Sequence, residues 1–308
     1  MGTEELIVSS PASIANLGPG FDSLALAIKP PQDVVRVRVS GGEGVVIRND
    51  GEYASELPNE PSDNSAYLVA NRALELAGVK ARIEVTVIKG IKPASGLGSS
   101  GATSAAVAYA MNKLLNLDLD QWGLVELASY GELASAGVRH MDNVAASLFG
   151  GLVIVNSTVR QVTRLDFPGI YVLIVIEGSK PNTGYMRSIL PKNYTLDDIV
   201  TNIASVAQLV ASVFKGDLSL FSRVIENDRV AMPYRIKAYG HWGIVKDTLI
   251  RHGALGVILS GAGPSIVGFF KDEPNVVEIE GELRKLGLRP RVMLTRPSNE
   301  GVREVNYY

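Results

Sequence analysis

The run Pro93–Ser104, Pro-Ala-Ser-Gly-Leu-Gly-Ser-Ser-Gly-Ala-Thr-Ser, constrains this chain more than any other segment. It follows an alternating, strand-like stretch, Ala81 to Lys89, and opens into an unbroken helical stretch, Ala102 to Leu115. A Gly- and Ser-rich bend at a helix N-terminus presents unpaired backbone N–H groups and the positive end of the helix dipole, which together suit a phosphate. Gly96, Gly98 and Gly101 are free to take positive φ and let an anion approach the backbone. Ser99 and Ser100 are placed to cap the helix or to turn a hydroxyl toward phosphate or a metal. So many glycines and serines in one turn exceed what capping needs. The residues Pro93, Ala94, Ser95, Gly96, Leu97, Gly98, Ser99, Ser100, Gly101, Ala102 and Thr103 are therefore the candidate nucleotide-phosphate loop.

The same glycines fit the dinucleotide spacing G-x-G-x-x-G, but the context argues against it. A dinucleotide fold wants a second strand after the helix, ending in an acidic residue about 20 positions on. Here Asn116-Leu-Asp-Leu-Asp120 follows, with no hydrophobic strand before Asp118 or Asp120, and a second helical pattern runs from Gln121 to Leu133. It reads as a helix–helix connection with an N-cap. No Gly-Lys-Ser/Thr, Asp-Phe-Gly or His-Arg-Asp occurs anywhere, which removes the Walker A loop and the protein-kinase signatures.

At 308 residues with 46% hydrophobic and 20% charged residues, the chain reads as one large or two ordinary globular domains. A net charge of −2 offers no reason to expect nucleic acid or an acidic membrane as partner. The absence of cysteine removes disulfides, thiolate catalysis and Cys-ligated zinc, and fits a cytoplasmic protein. Met1-Gly-Thr-Glu-Glu lacks the basic and apolar regions of a signal peptide, and no uninterrupted apolar run approaches membrane-span length.

Periodicity predicts strands near Leu6–Ser9, Leu24–Ile28, Val34–Val39 and Val45–Arg48, a helix over about Asn64–Leu76, and a strand at Arg82–Ile88. Helices at Gln121–Leu133 and Asp142–Phe149 and a strand at Leu152–Asn156 follow the phosphate loop and its helix. The pattern then restarts with a strand at Tyr171–Ile176, helices near Leu196–Phe214, Leu218–Glu226 and Trp242–His252, and strands at Leu255–Leu259 and Ile266–Phe270. A helix near Asn275–Leu286 and a strand at Arg291–Thr295 close the chain. Mixed strands and helices in both halves predict two α+β domains, 1–165 and 166–308.

Three blocks, Pro11-Ala-Ser-Ile-Ala-Asn-Leu-Gly-Pro-Gly-Phe-Asp22, Pro93–Ser104 and Ser260-Gly-Ala-Gly-Pro-Ser265, together resemble the GHMP small-molecule kinases in order and spacing. The first block, and Gly131-Glu-Leu-Ala-Ser-Ala-Gly-Val-Arg-His-Met-Asp-Asn143 ahead of Gly150-Gly151, are similar to the homoserine-kinase branch, departing from it at Ile14 and Met141. The resemblance implies an N-terminal α+β domain with a left-handed βαβ crossover and a C-terminal ferredoxin-like domain, with ATP and substrate meeting between them. It implies transfer of the γ-phosphoryl of ATP to the side-chain hydroxyl of L-homoserine, on the route to threonine. A homodimer is a family-level expectation.

By the same resemblance Ser100 and Glu132 bind Mg2+, a hard cation that prefers oxygen ligands. From the residues alone Glu132 sits near the end of a helix, against the dipole, where a solvated glutamate is the plain alternative. Asn64 is implied at the adenine, with capping of the following helix by Ser62 or Asp63 as its rival. An amino-acid acceptor needs guanidinium for its carboxylate and oxygens for its ammonium. The resemblance sets Arg187 and Arg235, with Thr183 beside them, at the carboxylate, Asp22 and His140 near the amino end, and Asn16 and Asn143 at the hydroxyl end. Several family members use an aspartate as base, and that position falls on Asn143. The chain is therefore expected to work without a side-chain base, with Asp142, one residue away, as the rival. Gly261, Ala262 and Gly263 are expected to form a tight turn that packs beneath the phosphate loop. Mevalonate or shikimate kinases of the same family, a non-catalytic binding protein of this fold, and an NAD-linked dehydrogenase are the competing readings.

Overall fold

The computed structural model describes residues 3–58, 60–137, 139–179 and 183–306, and within them all side chains but those of 135, 136 and 183. The chain runs through β1 (Glu4–Ala15), β2 (Leu24–Ser40), β3 (Gly44–Asp50), α1 (Ser65–Ala77) and β4 (Arg82–Ile88). Four helices, α2 (Ser99–Leu114), α3 (Gln121–Ser129), α4 (Glu132–Ala136) and α5 (Asp142–Phe149), lead to β5 (Leu152–Asn156) and β6 (Gln161–Leu165). Then come β7 (Tyr171–Ile176), α6 (Thr183–Ser188), α7 (Leu196–Lys215), α8 (Leu218–Val224), α9 (Met232–Arg235) and α10 (Trp242–Arg251). The chain closes with β8 (Gly256–Leu259), β9 (Ser265–Phe270), α11 (Val276–Lys285), β10 (Arg291–Pro297) and β11 (Arg303–Glu304).

Strands β3 and β4 pair in parallel across α1, while β1, β4 and β5 all lie antiparallel to β2. In the C-terminal half the order β10-β7-β9-β8, antiparallel throughout, is that of a ferredoxin-like sheet. β10 joins the halves by pairing with β7 over Arg291–Thr295 and with β2 through Arg296 and Pro297. β11 returns to β1. Residue 165, where a boundary is expected, is the last of β6, and the last strands of the chain cross back over that point.

Alternation places Ile83, Val85 and Val87 of β4 inward. α2 is buried on nearly all sides, and its Ala102, Ala105, Ala106, Ala108 and Ala110 let β1, β2, α1, α3 and α5 close around it. Several expectations need correction. The strands expected at Leu24–Ile28 and Val34–Val39 are one strand that continues through Pro30-Pro31. The helix expected over Gln121–Leu133 stops after Ser129 and a new one starts at Glu132. α6, α9, β6 and β11 were not anticipated, being too short or too polar to show a period. Among the described residues α7 alone is long and apolar enough to cross a membrane by length and composition. Interspersed Ser, Thr and Asn hide that property from a search for uninterrupted apolar runs. Here its Ser205, Leu209, Ser212 and Val213 are buried against the domain.

Candidate active site

The candidate phosphate loop is held from below. Helix α2 starts at Ser99 rather than Ala102, and Gly98 is its N-cap with no side chain across the first-turn N–H groups. Neither serine caps: the Ser99 hydroxyl donates to the Ile91 carbonyl at 2.9 Å, and the Ser100 hydroxyl donates to Glu132 Oε1 at 2.6 Å. Gly96 has φ +82°, and a Cβ there would lie 2.6 Å from the Gly263 carbonyl oxygen. Gly98 has φ +63°, with its Cβ position 2.0 Å from Ser13 Oγ. Gly101, expected to share that conformation, instead lies within α2, where a Cβ would stand 3.1 Å from Asn143 Cβ. The Gly261–Gly263 turn packs against the loop as expected. Ser260 and Ser265 donate to the carbonyls of Gly96 and Ser95, each at 2.6 Å.

Glu132 is the first residue of α4, so its carboxylate faces a helix N-terminus, where the dipole favours negative charge, rather than the helix end expected from sequence. It is 5% exposed, and His140 Nδ1 lies 3.9 Å from its Oε2. Two hard oxygens, Ser100 Oγ and a Glu132 carboxylate oxygen, thus converge at the start of α2. That donor set suits Mg2+. Asn64 is itself the N-cap of α1, accepting from the Ala66 N–H at 2.9 Å, so the rival capping by Ser62 or Asp63 does not occur.

The residues expected at the acceptor are interlocked. Arg187 Nη2 lies 3.0 Å from Asp22 Oδ2, and its Nη1 lies 3.4 Å from His140 Nε2. Asn16 Oδ1 accepts from the Asp22 N–H at 3.2 Å. Arg235 is 6% exposed and donates to the carbonyls of Met186 and Gly261 at 3.3 and 3.0 Å. Burial pulls its pKa down from the ordinary arginine value, and Asp22 and Asp228 push it back up. Asn143 Oδ1 accepts from the Ser13 hydroxyl at 2.7 Å, leaving its NH2 group as a donor. Asp142 is buried, accepts from the Asn143 N–H at 2.9 Å, and has its pKa pushed up to about 7 by burial and then by Asp22. The Thr183 side chain lies outside the described residues.

A cavity of about 420 Å³ is lined by Asn64, Pro93, Ala94, Gly96, Gly98, Ser99, Ser100, Thr103 and Glu132 together with Asn16, Asp22, His140, Asp142, Asn143 and Arg235. Not every expected residue faces it. Ser95 turns its hydroxyl to the Lys92 carbonyl, Leu97 and Ala102 pack in the core, Gly101 meets Asn143, and Arg187 reaches the others through Asp22, His140 and the Phe21 ring.

Family models for the GHMP kinases N terminal domain and the GHMP kinases C terminal match residues 64–151 and 209–287. The chain is 36% identical to the homoserine kinase of Methanococcus maripaludis strain S2 over 91% of its own length and 92% of that protein. It is 38% identical to the homoserine kinase of Thermoplasma volcanium over 99% and 98%. The chain belongs to the GHMP kinase family. A crystal structure of homoserine kinase from Cytophaga hutchinsonii superposes with a TM-score of 0.88 at 31% identity, covering 98% of this chain and 97% of that one.

Three further residues shape this GHMP kinase site without having been anticipated. Lys89 is fully buried, paired with Asp33, and donates to the Ser99 carbonyl at 2.7 Å and Thr103 Oγ1 at 2.8 Å, tying the first turn of α2 to β2. Its signal was present, because the β4 alternation that buries Val87 points the next odd residue inward too. Phe21 lies with its ring centre 5.0 Å from the Arg235 guanidinium and 5.8 Å from that of Arg187. Asp228 accepts from the N–H groups of Val230, Ala231 and Met232 and so fixes the start of the short helix that carries Arg235. Nothing in sequence spacing announces these last two contacts.

Proposed function

We propose that the protein transfers the γ-phosphoryl group of ATP to the side-chain hydroxyl of L-homoserine, giving ADP and O-phospho-L-homoserine on the route to threonine. The observation that carries this reading is one cavity in which a buried guanidinium, Arg235, stands with the carboxylate of Asp22 beside an uncapped helix N-terminus. A free amino acid presents carboxylate and ammonium together, and this set answers both charges. Mevalonate and shikimate carry no ammonium and leave Asp22 and His140 without a task. The homoserine kinases that the chain resembles over nearly its whole length support the same acceptor.

Ser100 and Glu132 would hold Mg2+, which supplies charge neutralisation on the β- and γ-phosphates. First-turn N–H groups of α2 bind the triphosphate, and Asn64 stands at the adenine end. Arg235 holds the acceptor carboxylate, Asp22 and His140 its ammonium with Arg187 bracing both of them, and the Asn143 amide with Asn16 its hydroxyl end. In the transfer the acceptor oxygen bonds to the γ-phosphorus as the bond to the β,γ-bridging oxygen breaks, releasing ADP. Asn143 has no basic site for the proton, which passes to a phosphoryl oxygen or to water. Positioning and charge stabilisation then carry the rate. Asp142 is the one specific rival, since a carboxyl titrating near 7 suits a general base.

ADP release measured with homoserine, mevalonate and shikimate tests the acceptor: turnover is expected with homoserine, and turnover with either other alcohol alone overturns the reading. ATP binding without turnover on any alcohol would support a non-catalytic binding protein instead. Asp142→Asn tests the base. Retained turnover is expected, and a collapse of kcat at unchanged KM would make Asp142 the base.

A further inference from the structure

A serine beneath the cavity wall sets which end of the Asn143 amide an acceptor alcohol meets. Ser13 lies on β1 and is fully buried. Its backbone N–H donates to the Leu97 carbonyl at 3.1 Å, and its hydroxyl donates to Asn143 Oδ1 at 2.7 Å. The residue thus joins the candidate phosphate loop to the second residue of α5. Two glycines leave room for that contact. A Cβ on Gly98 would lie 2.0 Å from Ser13 Oγ and 2.9 Å from Asn143 Oδ1, so a side chain there would part the two. A Cβ on Gly101 would lie 3.1 Å from Asn143 Cβ, which holds the base of the side chain in place.

An amide has an acceptor end and a donor end, and a half-turn exchanges them. Ser13 decides between the two. With Oδ1 toward the serine, the buried O–H has its acceptor. With the NH2 group there instead, Ser13 Oγ would accept, and its own O–H would have no other acceptor among the described residues. A buried donor without a partner is costly, so the first orientation holds. The NH2 group makes no hydrogen bond among the described residues, and Asn143 lines the cavity, so this is the end that meets a ligand. For an alcohol the difference is chemical. An N–H donor takes a lone pair of the acceptor oxygen and leaves the O–H proton pointing away from the amide. A carbonyl oxygen would hold that proton in a hydrogen bond without being basic enough to remove it. With the donor in place, the acceptor oxygen bonds to the γ-phosphorus, the bond to the β,γ-bridging oxygen breaks, and the proton is free to pass to a phosphoryl oxygen.

We propose, on the reading of the site given above, that Ser13 is a positioning residue for the transfer step, acting through Asn143 by fixing its NH2 group toward the acceptor oxygen. Ser13→Ala removes the hydroxyl and frees the amide to turn. It is expected to lower kcat by about 10- to 100-fold, with the KM for homoserine and for ATP within about two-fold of wild type and the circular dichroism unchanged. Ser13→Thr keeps the donor and is expected to recover most of kcat. In an Asn143→Ala background the Ser13→Ala change is expected to alter kcat by less than about two-fold, because no amide remains to be oriented. A serine that only supported the loop would cost the same in both backgrounds. Wild-type kcat in Ser13→Ala, an equal loss in both backgrounds, or a loss confined to the KM for ATP would overturn the proposal. A folded Ser13→Thr variant as slow as Ser13→Ala would overturn it too. Turnover of mevalonate or shikimate in place of homoserine, with the same Ser13 pattern on that alcohol, would overturn the acceptor and leave the role of Ser13 standing. A wild type that turns over no alcohol would overturn both.

Discussion

The Ser100 hydroxyl donates to Glu132 Oε1 at 2.6 Å, linking the second residue of α2 to the first residue of α4. Thirty-two positions separate them in the chain, and two helix N-termini aim them at one point. If that point is the cation site, Glu132→Gln and Ser100→Ala should each lower kcat by about 10²–10³-fold and raise the Mg2+ concentration needed for half-maximal ADP release. Unchanged Mg2+ dependence in both variants would remove the pair from the metal.

Lys89 and Asp33 form a buried ion pair beneath the same turn. Burial pulls the Lys89 ammonium below the ordinary lysine range, and Asp33 works against that shift. Lys89→Met leaves the Asp33 carboxylate buried without its cation and is expected to cost about 3–5 kcal/mol in urea unfolding. The double variant Lys89→Met with Asp33→Asn should recover a large part of that loss. A double variant as unstable as the single one would show that the pair's charges are not the source of the cost.

Asp142 supplies a pH signature. Its folded pKa is raised from 3.8 to about 7, so the protonated side chain suits the fold, and the stability tied to it is full below the unfolded value. That stability is lost as pH rises through about 7. Asp142→Asn stays neutral and keeps an acceptor for the Asn143 N–H. In the protein free of nucleotide and metal, its stability advantage over wild type should be absent near pH 4 and grow by at most about 1.4 kcal/mol per pH unit. It should level off above pH 7. Thermal melts across that range check the slope; a constant offset would mean that the titration is not the cause.

Phe21 gives Arg187 and Arg235 a shared aromatic face. A cation–π contact is worth about 0.5–2 kcal/mol, so Phe21→Leu is expected to raise the acceptor KM by roughly 2- to 30-fold while leaving the KM for ATP in place. Phe21→Tyr should restore the acceptor KM. Equal losses for ATP and acceptor would point to a general disturbance of the cavity.

Much of this was legible along the chain. The bounds of α5, β5 and β7 agree with the periodicity of their residues, because each is a continuous local pattern with its face set by neighbours a few positions away. The tight turn of the proposed phosphate loop was legible because positive φ at Gly96 and Gly98 is a local demand that few other residues meet. The environment of Glu132 was misread, since only the break after Ser129 turns a helix end into a helix beginning. Ser99 was read as a cap or as a hydroxyl for phosphate or metal, yet it serves the Ile91 carbonyl eight residues back.

The sequence alone therefore determined most of the longer elements, the tight Gly96–Gly98 turn and the family, which depend on local conformational preference and motif order. Only the tertiary structure decided how the residues proposed for the acceptor are arranged: Arg187 on Asp22, Arg235 on the carbonyl of Gly261, Asn143 on Ser13. These pairs are separated by 26 to 165 positions, and long-range contacts of single polar groups leave no period to read. The same holds for Lys89 and Asp33, whose partnership arises because β2 and β4 lie side by side in one sheet.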